Sequence, residues 1–252
     1  VVILGYGIID FKIMKRLIAR LDVKNNKLIK SVGFEGLRVI GEINSFAKKY
    51  YNEGIDEILY IDTIASLYER ISLTDVIRKA SEDIFVPITV GGGIKTTEDI
   101  KKILRCGADK VAINSEAIRN NTFISEAANI FGSQCVVVSI QAKMITKDSW
   151  EAFYLNGRES SGLDVITWAK KIEKLGAGEI LLTSVDFDGT QRGLDMNLLK
   201  KVSDAVSIPV IGSGGTKDKE NINECFKKTN VSALAVGSIL HYEKETISNI
   251  KK

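Results

Sequence analysis

The chain has 252 residues, 44% of them hydrophobic, with 35 Lys and Arg against 32 Asp and Glu and a formal net charge of +3. This length admits one large α/β domain or two small ones around a sizeable core. The basic residues are dispersed, without a basic block or an aromatic–basic platform, which argues against a nucleic-acid partner, and no run approaches the ~20 apolar residues of a membrane span.

Residues 1–13, VVILGYGIIDFKI, are apolar, too short to cross a bilayer and without the basic start of a signal peptide. They read as an N-terminal extension or expression remnant, or else as an extra strand or turn under the core. From Met14 onward, short β-rich runs alternate with longer amphipathic stretches. The pattern predicts a strand over Arg16–Leu21, a hairpin-like insertion over Lys24–Glu42, a helix over Ile43–Glu53, a strand over Glu57–Ile61 and a helix over Leu73–Ile84. It continues with strand Pro87–Val90, helix Thr97–Arg105, strand Lys110–Ile113, helix Asn121–Ile130 and strand Val136–Ile140. A second insertion over Lys143–Gly162, holding Trp150–Tyr154, leads to helix Val165–Leu175 and strand Glu179–Thr183. Helix Asn197–Ala205, strand Pro209–Ile211, helix Lys219–Lys228 and strand Ala233–Val236 complete the series. Gly54, Gly107, Gly132 and Gly176 stand where helix C-caps belong. Cys106, Cys135 and Cys225 are widely spaced without a CxxC pair and read as free thiols in a reducing cytoplasm.

The sequence also repeats itself. Asp56–Asp62 returns as Gly178–Ser184, Gly92-Gly93 as Gly214-Gly215, and Asn114-Ser115 as Gly237-Ser238, at offsets of 122, 122 and 123 residues. Eight strands alternating with helices in two repeated halves favour a closed (β/α)8 TIM barrel over an open sheet. No Pro-, Gly- or Ser-rich linker divides the halves, so residues 14–252 are expected to form one domain. Both insertions then lie at the face where barrel active sites sit, and the first is long enough to serve as a lid; plain hairpin decoration is compatible with either.

Doubling the unit doubles its turns. Gly91-Gly92-Gly93 ends strand three and Asn114-Ser115 ends strand four. Their counterparts are Gly214-Gly215 and Gly237-Ser238, with Asp188-Gly189-Thr190 beside them. Glycine lets backbone approach an anion while N–H groups and hydroxyls donate. A single Gly-Gly means little, because tight turns need glycine anyway; two copies at matched positions suit an elongated substrate with a phosphate at each end.

At the end of strand one, Asp22 is placed to shuttle protons at the mouth, though a strand-end residue capping a loop is the plainer alternative. Its half-barrel counterpart, 119 residues on, is Gln141, which can hydrogen-bond but has no proton to exchange near neutrality. At the opposite strand ends Arg16, Glu57, Lys110 and Glu179 would ring the bottom, two cations against two anions, which an ordinary solvated ion-pair cluster also explains. His241, the only histidine, lies in an apolar run and reads as a packing residue.

From Met14 almost to its end the chain resembles the cyclase subunit of imidazole glycerol phosphate synthase. The carrying motifs are LDVKNNKLIK at 21–30, DEILYIDTIAS at 56–66, VPITVGGGI at 86–94, GADKVAINS at 107–115, FGSQCVVVSI at 131–140, GAGEILLTSVDFDGT at 176–190 and SIPVIGSGG at 207–215. The charged bottom sets this subunit apart from the related single-chain isomerase of the same pathway. The resemblance implies a barrel docked by its bottom to a glutaminase subunit as a heterodimer. Ammonia would enter through a gate of Arg16, Glu57, Lys110 and Glu179 and attack a bisphosphorylated nucleotide at the top. It makes Asp22 one catalytic acid/base and Lys30 a loop residue touching substrate, and places Asp109 and Gln134 at the glutaminase interface. Gly93, Asn114 and Ser115 would hold one phosphate; Asp188, Gly189, Gly215, Gly237 and Ser238 the other. It implies no cofactor and no metal.

Two residues depart from the family pattern. Gln141 stands where the second catalytic aspartate is expected, and Arg20 where a small residue is expected. Arg20 shares strand parity with Arg16 and Asp22, should point into the barrel and needs a buried partner. Asp22 is the nearest candidate, and such a pair would hold Asp22 ionised and narrow the ammonia route. Three functions follow: an authentic cyclase of histidine biosynthesis, a paralogue that keeps the dock and conduit for amidation of a surface-sugar precursor, or an independent sugar-phosphate isomerase. Intact gate residues beside a damaged acid/base pair favour the second.

Overall fold

The computed structural model describes residues 15–65 and 73–252; the predicted N-terminal extension over residues 1–13 lies outside them. Eight parallel strands close into a barrel in the order β1 (Arg16–Lys24), β4 (Glu57–Asp62), β5 (Ile88–Gly91), β6 (Lys110–Ile113), β7 (Val136–Thr146), β10 (Glu179–Ser184), β11 (Val210–Ser213) and β12 (Ala233–Val236). Closure comes from pairing β1 with β12, Arg16 opposite Ala233 through Ala19 opposite Val236. β6 pairs with β7, so with β1–β12 both junctions between the repeated halves are hydrogen-bonded, and β7 pairs with β10 within the second half. The fold is the (β/α)8 barrel expected from the repeat.

Strands such as β10, EILLTS, are buried along their whole length. Parallel barrel strands bury one face against the axis and the other under helices, so their apolar runs are nearly continuous. Side chains alternate accordingly. Leu17, Ile58, Val138 and Ile180 join the cluster beneath the helices, while Ile18, Leu59, Val137, Leu181 and Ile211 form a smaller cluster on the axis.

Helix starts follow their capping residues. Thr96 and Asp99 form a capping box on helix Thr97–Arg105. Asp164, Asp195 and Asp218 cap helices Val165–Lys174, Met196–Ala205 and Lys219–Lys228 through their carboxylates. The region predicted as one helix from Asn121 is preceded by a short helix over Ser115–Arg119 and runs over Thr122–Phe131. Two short C-terminal helices, Ser238–His241 and Ile247–Ile250, were not legible as separate elements because each is about one turn. No helix among the described residues is long and apolar enough to cross a membrane.

The insertions are sheet extensions. β1 continues into antiparallel β2 (Lys27–Val32) and β3 (Glu35–Glu42). β7 runs on to Thr146 and pairs with β8 (Ser149–Tyr154), which pairs with β9 (Glu159–Asp164). Both rise from C-terminal strand ends, over the same mouth.

Ile180, fully buried between barrel and helices, should lose about 2–5 kcal/mol of unfolding free energy on replacement by alanine. Ile145, 56% exposed, should lose less than about 0.5 kcal/mol. Urea unfolding of Ile180→Ala and Ile145→Ala gives both values.

Candidate functional site

The N-terminal strand ends bring four charges into a closed ring. Arg16 Nη1 donates to Glu57 at 2.9 Å, and Nη2 donates to Glu179. Lys110 Nζ reaches Glu57 at 3.1 Å and Glu179 at 3.0 Å. Thr89 Oγ1 adds a 2.6 Å bond to Glu57. Each carboxylate thus meets two cations, as buried carboxylates require. Around the ring the bottom face carries exposed Asp109 and Gln134. Asp109 accepts the Ile88 N–H at 2.8 Å, while Gln134 makes one long contact, 3.5 Å, to the Phe131 carbonyl.

Above the ring lies the apolar axial cluster, and above that a polar layer. Arg20 lies wholly inside the barrel. Its Nε donates to Asp22 at 2.9 Å, and its Nη1 donates to Thr183 Oγ1 at 3.0 Å and Ser213 Oγ at 3.1 Å. Lys30, on β2, reaches Asp22 at 3.1 Å and Asp188 at 3.4 Å. Asp22 therefore points inward but is sealed, 2% exposed, between two cations. Burial disfavours its charge, yet the Arg20 guanidinium and the Lys30 ammonium outweigh that and hold the carboxyl well below the usual carboxylate range. Burial also works against the charges on Arg20 and Lys30, and Asp22 and Asp188 more than restore them.

Gln141 lies across the mouth. Its Oε1 accepts the Gly157 N–H at 2.7 Å, tying β7 to the turn between β8 and β9. Phe34, at the tip of the first insertion, packs where a Cβ on Gly157 would stand, 2.7 Å from its ring. The same ring lies 5.8 Å from the Arg20 guanidinium, within cation–π range. Gly33 N donates to the Asp188 carbonyl at 2.8 Å. The two insertions thus meet over the axis.

Two clefts flank this centre. The first is lined by Gly92, Gly93, Asn114, Ser115, Ser139 and Gln141, with Lys95 and Arg119 at its rim. Gly92 has φ +111°, and a Cβ there would lie 2.4 Å from the Asp62 carbonyl oxygen, so only glycine fits. Asn114 spends its amide on the carbonyls of Ser139 and Phe153, at 3.0 and 3.2 Å. The Ser115 hydroxyl accepts the Leu155 N–H at 3.2 Å and makes a long 3.5 Å contact to Asn114 Oδ1. The second cleft is lined by Arg20, Lys30, Asp188, Gly189, Gly214, Gly215, Gly237 and Ser238. Every residue predicted for the two phosphates lines the expected cleft, and Lys30 belongs to the second.

Thr183, Ser213 and Ser139 were missed in the sequence, although parity could have found them: Thr183 lies two and four residues beyond inward-facing Leu181 and Glu179. His241 is buried and bonds Tyr50 Oη through Nδ1 at 2.7 Å and the Arg20 carbonyl through Nε2 at 3.0 Å. A carbonyl only accepts, so Nε2 carries the proton and Nδ1 accepts from Tyr50. The residue read as packing thus also fixes the backbone beneath Arg20.

The architecture is that of a parallel barrel with two glycine-lined polar clefts at one mouth and a charged ring at the other. Residues 16–246 match the family model described as "Histidine biosynthesis protein". A Legionella pneumophila protein named "Imidazole glycerol phosphate synthase subunit HisF" is 55% identical over 208 residues, 82% of this chain and 98% of the relative. Proteins of the same name from Clostridium botulinum (strain Okra / Type B1) and Bacillus cereus (strain Q1) are 48% and 46% identical, over 95% and 94% of both chains. The chain belongs to the histidine biosynthesis protein family, and within it to the HisF cyclase subunits.

Burial depresses the His241 imidazole to about 4 from its ordinary 6.5. As pH falls the unfolded chain takes that proton first, so this stability is complete above about 6.5 and is lost by about 4. The loss should be about 3 kcal/mol. Urea unfolding of wild type and His241→Gln across this window should show the variant lacking that component of the slope.

Proposed function

We propose that this chain is the acceptor-binding subunit of a glutamine amidotransferase complex of the imidazole glycerol phosphate synthase type, with residues 14–252 acting as one domain. A separate glutaminase docks on the bottom face against Asp109, Lys110 and Gln134. Its ammonia enters through the ring of Arg16, Glu57, Lys110 and Glu179 and reaches a small bisphosphorylated or sugar-nucleotide acceptor between the two cradles. The relatives' names, each a "subunit", support a partnered enzyme. The four-charge ring at the N-terminal strand ends, closed by ion pairs of Arg16 and Lys110 with Glu57 and Glu179, supports a gate there.

The role proposed for the top is delivery of ammonia for amidation of a surface-sugar precursor by a separate ligase, rather than imidazole ring closure. The observation that carries this reading is Asp22 held between Arg20 and Lys30. Ring closure moves protons on and off the substrate. A carboxylate held ionised by two cations is a poor proton donor, and Gln141 has no proton to exchange. The paralogue would therefore deliver ammonia and bind an acceptor without strong acid/base catalysis. The authentic cyclase of histidine biosynthesis is the second reading, favoured by two glycine-lined polar clefts at one mouth and by 46–55% identity to HisF subunits.

The purified chain supplied with ammonium and the ribulosyl-formimino carboxamide nucleotide should form imidazole glycerol phosphate far below roughly 1 s⁻¹. Gln141→Asp combined with Arg20→Cys should raise that rate by about 10²-fold or more, the scale of one positioned acid/base group. Wild-type turnover at or above roughly 1 s⁻¹ would establish the cyclase reading instead.

The dock is tested separately. Charge reversal at Asp109→Lys with Lys110→Glu should abolish both copurification of the glutaminase and its stimulation. Undiminished stimulation would place the partner elsewhere.

A further inference from the structure

Arg20 has an unused edge. A guanidinium carries five N–H donors, and three are engaged: Nε with Asp22, and Nη1 with Thr183 and Ser213. Nη2 has no hydrogen-bond partner among the described residues. It is also absent from the side-chain atoms that are both sealed and unpaired, which are on Asn44, Tyr60, Trp168 and Ser184. Arg20 is 5% exposed and lines the second cleft together with Gly214, Gly215, Gly237 and Ser238.

We propose that Arg20 is a ligand-binding residue of the second cradle, its Nη2 edge gripping the terminal phosphate of a phosphate-monoester ligand from below while the glycine turns hold it from above. The assignment rests on the two-cradle reading given above and adds what that reading lacks, a cationic floor. The side chain cannot turn aside, because three bonds to three strands fix its plane. No described residue accepts a hydrogen bond from the remaining donors. Asp22 needs only Nε, so the grip leaves that ion pair intact. Asp188 on the same wall is offset by Lys30 at 3.4 Å, so the incoming anion does not face an uncompensated carboxylate. A buried guanidinium holds a phosphate by direct, charge-assisted bonds, and a cradle floored this way selects a phosphate or a comparable tetrahedral anion over a neutral hydroxyl end.

The probe is glycerol 3-phosphate, titrated calorimetrically into the full chain. Ser115→Asp places a negative charge in the first cradle, so the binding that remains reports the second. In that background Arg20→Gln should weaken affinity by roughly ten- to hundredfold, the scale of losing charged hydrogen bonds, and Arg20→Lys should recover part of it. Should Arg20→Gln fail to fold, the arginine side-chain NMR signals of the wild type carry the test: the Arg20 Hε and Hη resonances should shift on adding the phosphate. Unchanged affinity in Arg20→Gln, with binding still abolished by Ser238→Asp, overturns the role of Arg20 and leaves the cradle standing. Absence of phosphate binding in wild type at either cradle overturns the two-cradle reading itself, and this assignment with it.

Discussion

The parallel pairing that closes β12 onto β1 is the constraint from which the other features follow. Once eight strands close, alternate residues must face a narrow axis, and each strand contributes to the same few layers. Charged residues at strand starts then meet as a ring, because Arg16, Glu57, Lys110 and Glu179 occupy equivalent places on four strands. Apolar residues two positions on fill the middle, and polar ones beyond them reach the mouth. An open sheet with the same strands would leave these groups far apart, and the buried carboxylates of the ring would lack their second cations.

Arg20 alters what the top of this frame can do. A guanidinium in a barrel interior persists only with its charge and donors met, and here one carboxylate and two hydroxyls from three strands meet most of them. The result is a polar layer that is rigid and electrically balanced: Arg20 and Lys30 against Asp22 and Asp188. Such a layer binds and orients well. In it both cations hold the Asp22 carboxyl well below the usual carboxylate range.

Much of this was readable in the residues. The half-length repeat identified the barrel and paired the two glycine-rich turns, and strand parity pointed Arg20 inward with Asp22 as its partner. The pairing of Arg20 with Thr183 and Ser213 was not readable, since those residues lie 163 and 193 positions away and meet it only through closure. Nor was the tie from Gln141 to Gly157, which depends on how β7 continues into the second insertion. Phe34 adopts φ +67°, which is costly for an aromatic residue, and no sequence pattern marks it; its contacts with Gly157 and Arg20 hold it there. Helix limits were legible to within a residue or two where a cap was present, and the one-turn helices after the fourth and eighth barrel strands were not.

Asp22, set between Arg20 and Lys30, is expected to stay locked in its ionised form. Carbon-13 NMR of the aspartate side-chain carboxyls, with the Asp22 resonance assigned by Asp22→Asn, measures this directly. The Asp22 signal should show no titration near the ordinary carboxylate value of about 3.9, and Arg20→Cys should move its titration upward. A wild-type Asp22 signal that titrates at about 4 or higher, unchanged in Arg20→Cys, would contradict it.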